Sequence, residues 1–265
     1  MLFVIDIGNS HTVTGLYESD RLIGQWRLKT DKEKTADELA IDYNALFTMT
    51  SMDKRRITGI VLASVVPTLE NAWIACCNDH FSENLAQPLI IVSAKTVADL
   101  IAIQTDNPNE VGADRLVNGI AAWEEYKSDL IVIDFGTAIT FDCITARCEY
   151  LGGIIFPGIR ISLEALATKT AKLPHIDVSE PAEKFIGTNT IQAMKNGILH
   201  GYGAMIDGLV QGISREMSGS PETVQVIATG GMAALIAPYT STIKRIDPIL
   251  TLSGLRIIFN KKYRQ

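Results

Sequence analysis

Cysteine is scarce and poorly placed for metal or disulfide chemistry. Cys76 and Cys77 are adjacent, and Cys143 and Cys148 are spaced C-x4-C with no second pair nearby. That spacing suits neither a zinc site nor a disulfide framework, and it reads as buried free thiols in a reducing cytoplasm. The four histidines, His11, His80, His175 and His200, lie apart with no metal-ligand spacing. No apolar run reaches about 18 residues without a polar break, so no membrane partner is expected. The opening Met-Leu-Phe-Val-Ile-Asp has no basic stretch and no small-residue cleavage site, so it does not read as a signal peptide. Basic residues are in deficit, with 24 Lys and Arg against 30 Asp and Glu and a net charge of -6, which argues against a nucleic-acid partner. Two common nucleotide signatures are missing. There is no G-x-x-x-x-G-K-[ST], and no G-x-G-x-x-G follows the first strand pattern, so neither a P-loop nor a dinucleotide site is expected.

What is present is a repeat. FVIDIGNSHTVTGLYESDRLIG at 3–24 aligns without a gap on IVIDFGTAITFDCITARCEYLG at 131–152. Val4, Ile5, Asp6, Gly8, Thr12 and Gly24 fall on Val132, Ile133, Asp134, Gly136, Thr140 and Gly152. With 265 residues and 47% hydrophobic content, the chain can bury two cores. It therefore reads as a duplicated domain, with halves at 1–127 and 128–265. Each copy reads as a strand ending in Asp, a tight turn, a return strand and a third strand, at 2–6, 10–17 and 22–28 and at 130–134, 138–145 and 150–156. Helix and strand patterns then alternate. The first half has helix 35–50, strand 58–64, helix 68–80, strand 88–92 and helix 113–126. The second has helix 158–169, long helix 188–217, strand 223–228, helix 231–237, strand 243–246 and a C-terminal helix. The fold class is α/β with mixed sheets and flanking helices.

Two Asp-x-Gly hairpins, one per half, are expected to face each other across a cleft. Glycine lets backbone N–H groups approach phosphate oxygens. The strand-end Asp6 and Asp134 can reach a cation that bridges phosphates. Asn9, Ser10 and Thr137 can donate to phosphate. Either Asp alone reads slightly better as a turn cap, but the repeated pair favours phosphate binding. Ala228-Thr229-Gly230-Gly231, between a strand and a helix, lets backbone lie against a ligand such as a purine. Thr35-x-x-Glu38 reads as a capping box. Trp26, Trp73 and Trp123 read as core or interface residues, and Lys29, Lys32 and Lys34 as a solvated face.

VIDIGNSHT at 4–12, NPNEVGADRLVN at 107–118, VIDFGTAITFD at 132–142, GGIIFPGI at 152–159 and ATGG at 228–231 together resemble the type III pantothenate kinases. The likeness runs along essentially the whole chain, and Gly-Ala-Asp-Arg is its most diagnostic piece. It implies two ribonuclease-H-like, actin-like domains in a homodimer. It also implies transfer of the γ-phosphoryl of ATP to the primary hydroxyl of pantothenate in coenzyme A synthesis, with Mg²⁺ and a monovalent cation, K⁺ or NH₄⁺. On that resemblance the ATP-binding residues are Asp6, Gly8, Asn9, Ser10, His11, Thr12, Val13 and Thr137, with Asp6 reaching Mg²⁺ through the phosphates. Asp134 is the monovalent-cation ligand. Gly112, Ala113, Asp114, Arg115 and Thr190 contact substrate, and Asp114 is the catalytic base. Arg115 suits either the carboxylate of pantothenate or a phosphate. Asp114 also fits a simpler role as an acid in a first helical turn. Thr188 or Asn189 is expected to cap the long helix. Relatives carry a substrate-contacting Tyr before Asn107-Pro108, where this chain has Gln104, Thr105 and Asp106. Two rival readings are another small-molecule kinase or hydrolase of the same superfamily and a non-catalytic regulatory homologue.

Overall fold

The computed structural model of the chain describes residues 1–182, 184–218 and 223–263. They form two compact units, Met1–Ala121 with the C-terminal helix, and Ala122–Ile249.

In the first unit, β1 (Leu2–Ile7), β2 (His11–Glu18) and β3 (Arg21–Lys29) form an antiparallel meander. Then come α1 (Ala36–Met49), β4 (Gly59–Ser64), α2 (Pro67–His80), β5 (Ile90–Ile91), the short strand β6 (Ala102–Ile103) and α3 (Ala113–Tyr126). The sheet order is β3-β2-β1-β4-β5, with β4 parallel to both its neighbours. Its core is aromatic: Phe3 of β1 meets Tyr43, Phe47, Trp73 and Phe81 at ring separations of 5.5 to 6.4 Å. Thr35 caps α1 in the expected capping box with Glu38. Cys76 and Cys77 are buried free thiols, and burial pushes Cys76 up to about 12 and Cys77 well above its usual range.

In the second unit, β7 (Leu130–Phe135), β8 (Ala138–Ile144) and β9 (Glu149–Pro157) repeat the meander. They are followed by α4 (Ile159–Lys169), α5 (Thr190–Ser218), β10 (Gln225–Thr229), α6 (Ala233–Ile236) and β11 (Arg245–Ile246). Within this unit the strands run β9-β8-β7-β10-β11, with β10 parallel to β7 and β11. This is the topology of the first unit. The core here is mainly aliphatic, with Ile131, Ile133, Leu199, Ile206, Val226 and Ala228 around Phe135 and Phe141.

The units differ from halves divided after residue 127. The division falls inside α3, and α7 (Leu250–Tyr263) belongs to the first unit. Close packing explains this. A Cβ at Gly59 would lie 2.2 Å from the Phe259 ring, and one at Gly254 would lie 2.5 Å from the Val117 carbonyl. Only glycine lets α7 press onto β4 and α3 at these points.

The gapless repeat is also corrected by the strand register. Ile7 pairs with Thr12, leaving Gly8 to His11 as a four-residue turn. Phe135 pairs with Ile139, leaving only Gly136 to Ala138. The structural counterpart of Thr12 is therefore Ile139, not Thr140. The burial patterns agree: Thr12 and Ile139 are both buried, and Val13 and Thr140 are both half-buried. A one-residue slip would turn the whole return strand over, so burial decides the register. Each return strand carries a bulge at the same place, between Leu16 and Tyr17 and between Cys143 and Ile144. The longer β8–β9 turn then restores the original spacing.

Candidate functional site

The expected site residues fall in both units. In the first, β1 ends in Asp6, which is half-buried after four buried residues. Gly8 N–H donates to His11 O at 3.1 Å and closes the turn. Beyond β4 the chain returns to the same strand end, where Val65 N–H donates to Ile7 O at 3.0 Å. Val65 in turn abuts the Gly112 segment: a Cβ at Gly112 would lie 3.4 Å from Val65 Cγ1 and 2.6 Å from Asp114 Oδ1. Two segments separated by about a hundred residues of sequence, Asp6-Ile7 and Gly112–Arg115, are thus neighbours through Val65.

Asp114 stands in the first turn of α3, whose N–H groups favour a negative charge. Arg115 N–H donates to its Oδ1 at 2.8 Å. Burial nevertheless raises the Asp114 carboxyl above the usual carboxylate range, against the lowering effect of Arg115. Asp114 is half-buried, and a carboxylate that desolvation pushes up while it still reaches the surface is suited to accept a proton. The helix that carries it is firmly held. Leu116, Val117 and Ile120 are buried, and the buried Asn118 accepts from Thr251 Oγ1 of α7 at 2.8 Å. Thr105 stands near the place of the relatives' Tyr, and its Oγ1 is shielded without a hydrogen-bond partner among the described residues.

In the second unit, Asp134 has the place on β7 that Asp6 has on β1, with the same burial pattern. The β10 turn closes against it. Gly230 takes φ +88°, and a Cβ there would lie 2.4 Å from Asp134 Oδ1 and 2.7 Å from Phe135 backbone N. Glycine is therefore required on two counts, the left-handed backbone and the contact. Thr137 lies in the tighter turn, and a Cβ at Gly158 would sit 2.1 Å from Thr137 O. Gly158 also begins α4. Tyr202 OH donates to the neighbouring Pro157 O at 2.9 Å and ties this corner to α5. Thr190, exposed at the start of α5, lines a cavity of about 720 Å³ with Leu166, Leu173, Ala193 and Met194. Asn189 caps that helix, its Oδ1 accepting from Gln192 N–H at 2.9 Å.

The described residues contain no group of three or more His, Cys, Asp or Glu side chains gathered for a metal ion. Asp6, half-buried at its strand end beside the Gly8–His11 turn, is a carboxylate donor of the kind a phosphate-bound Mg²⁺ takes. Asp134, half-buried at the matching strand end, is likewise an oxygen donor of the kind a monovalent cation takes. No described helix is long and apolar enough to cross a membrane.

Sequence reasoning missed two residues that hold the turns, Thr30 and Gly158. The repeat, carried a few residues past its third strand, pairs the two. Asp142 was also missed. It is fully buried and accepts from Tyr150 OH at 2.7 Å and Thr140 Oγ1 at 3.1 Å.

A model of the type III pantothenate kinase family matches residues 2–212. A curated type III pantothenate kinase of Desulfotalea psychrophila is 60% identical over 260 residues, covering 98% of both chains. Another, from Desulforapulum autotrophicum, is 46% identical over 258 residues, covering 97% of this chain and 96% of its own. Among solved structures, a chain from Campylobacter jejuni described as a Baf family transcriptional activator superposes with a TM-score of 0.60 at 20% identity, covering 99% of this chain and 100% of its own. Component A of (R)-2-hydroxyglutaryl-CoA dehydratase from Acidaminococcus fermentans gives 0.56 at 12% identity, covering all of both chains. At these identities the structural likenesses speak for the fold alone.

Proposed function

The chain belongs to the type III pantothenate kinase family, and from that membership we infer that it transfers the γ-phosphoryl of ATP to the primary hydroxyl of pantothenate, in coenzyme A biosynthesis. One observation carries the assignment of residues to that reaction. The half-buried Asp114, whose carboxyl desolvation pushes up, stands beside the strand end that carries Asp6 and the Gly8–His11 turn.

In this reading the turn from Gly8 to Val13 and Thr137 hold the ATP phosphates. Gly112, Ala113, Arg115 and Thr190 hold pantothenate. Asp114 orients the attacking hydroxyl and takes its proton as the new O–P bond forms and the bond to the β-phosphate breaks, releasing ADP. Asp6 would hold Mg²⁺ through the phosphates and Asp134 a K⁺ or NH₄⁺ ion. The cations would supply charge neutralisation for the phosphates. A homodimer is what the family resemblance implies, and the exposed Leu151 and Ile155 on β9 are apolar side chains such an interface would cover. A cytoplasmic location follows from the family's biosynthetic role, and the acidic composition argues against a nucleic-acid partner.

The test is turnover of ATP and pantothenate, with Mg²⁺ and K⁺ present, by wild type and Asp114→Asn. The wild type forms phosphorylated pantothenate, and the variant loses about 10²- to 10⁴-fold in kcat. Equal turnover by the variant removes Asp114 from the chemistry. Phosphorylation of a sugar in place of pantothenate overturns the substrate.

A further inference from the structure

We propose that Thr30 is a positioning residue that sets the phosphate-binding face of the Gly8–His11 turn; the proposal rests on the reading of that turn as an ATP site. Thr30 lies just past the end of β3, next to the turn in space, and is 8% exposed. It makes three contacts there. Its Oγ1 donates to Gly8 O at 2.6 Å, its N–H donates to Ser10 O at 3.0 Å, and its Oγ1 lies 3.2 Å from Thr12 Oγ1. A hydroxyl has one proton. Since that of Thr30 goes to Gly8 O, the Thr12 hydroxyl must donate to Thr30. The result is a directed chain from Thr12 through Thr30 to Gly8 O. Thr12 is itself 4% exposed, so water does not readily replace either member.

The consequence follows from peptide geometry. In a planar trans peptide the C=O of one residue and the N–H of the next point in opposite directions. Drawing Gly8 O and Ser10 O toward Thr30 turns the Asn9 and His11 N–H groups to the opposite side of the turn. Two N–H groups on one side of a tight turn make an anion-binding concavity. Thr30 therefore acts on ATP through the backbone without touching it.

Thr30→Val keeps the β-branched shape and removes only the hydroxyl, leaving Gly8 O without its donor. We expect KM for ATP, and the dissociation constant of Mg-ATP by calorimetry, to rise about tenfold, the size of one lost buried hydrogen bond. KM for pantothenate should stay within about twofold of wild type. Thr30→Ser, which keeps the hydroxyl, should restore most of the ATP affinity. It also serves as the folding control if the valine variant is insoluble, since near-wild-type ATP binding is expected of it. A tenfold loss in Thr30→Ser, or equal ATP binding by Thr30→Val, overturns the proposal. Substituting the turn itself tells the two readings apart. If Asn9→Pro, which removes one of those two N–H groups, weakens ATP binding while Thr30→Val does not, only the role of Thr30 fails. If neither does, the turn is not the ATP site.

Discussion

The two Asp-Gly hairpins share their scaffold and differ in how their turns are held. β1–β2 and β7–β8 have the same strand order, the same burial along the first strand and the same bulge in the second. The first turn has four residues and is clasped by the Thr30 hydroxyl and backbone. The second has three, and at the position corresponding to Thr30 it has Gly158, whose backbone lies directly on the Thr137 and Gly136 carbonyls. The polar chemistry is distributed differently too. Asp142 of β8 sits in a buried network with Tyr150 and Thr140, whereas its register counterpart in β2 is Gly15. What duplication kept is the place of the carboxylate at the strand end. What diverged is the brace: a side-chain hydrogen bond can be lost piecemeal, but a backbone contact cannot take up an extra atom.

That contrast predicts an asymmetry, and the largest effect should come from the glycine. In Gly158→Ala the new Cβ would fall 2.1 Å from Thr137 O and 2.9 Å from Gly136 O, both backbone atoms that cannot rotate away. We expect a loss of about 3 kcal/mol in urea denaturation, the upper end for overpacking, together with loss of ATP binding. Thr30→Gly adds no atom and should cost no more than about 1–2 kcal/mol. If the two substitutions cost the same, the braces are not different in kind.

Next in size is Gly230→Ala. It disturbs the second hairpin from the side of β10, forcing a left-handed backbone on alanine and bringing a methyl 2.4 Å from Asp134 Oδ1. About 1–3 kcal/mol of stability should be lost. If Asp134 holds the monovalent cation, the K⁺ concentration for half-maximal rate should rise, with little change in KM for pantothenate. An unchanged K⁺ requirement would separate Asp134 from the cation and make the two hairpins more alike than proposed.

The sequence made the scaffold legible for local reasons. Strand ends marked by Asp-x-Gly, the Thr35–Glu38 capping box and the span of α3 all depend on residues within a few positions of one another. The turn lengths were not legible because Thr12 and Thr140 are identical by coincidence, and that identity hides a register shift visible only in which side chains are buried. Thr30 was missed because its partners, Gly8 O in the turn and Thr12 on β2, lie about twenty residues away in sequence, and no short-range pattern marks such a clasp. α7 was assigned to the wrong half because helical periodicity says which face is apolar, not which sheet that face will meet. Of the expected site residues, those around Asp6 and Asp114 are linked through Val65, a residue with no sequence signature at all.

The smallest predicted effect on stability concerns Asp114, which lies outside both hairpins and tests whether they are enough without it. Its carboxyl is raised above the ordinary aspartate range, chiefly by burial. The sign follows from linkage. A folded-state value above the unfolded one means that the folded protein binds the proton more tightly, so the associated stability is present at low pH and lost as pH rises through the raised value. At neutral pH the ionised Asp114 is therefore a cost to the fold. Asp114→Asn keeps the oxygen that accepts from Arg115 N–H and removes the charge. Its Tm should equal or slightly exceed that of wild type at pH 7 and converge on it toward pH 4. A structural cap would do the opposite, losing stability at pH 7 when its charge is removed from a helix N-terminus. A lower Tm at pH 7 would thus return Asp114 to the simpler role and leave the hairpins to account for catalysis alone.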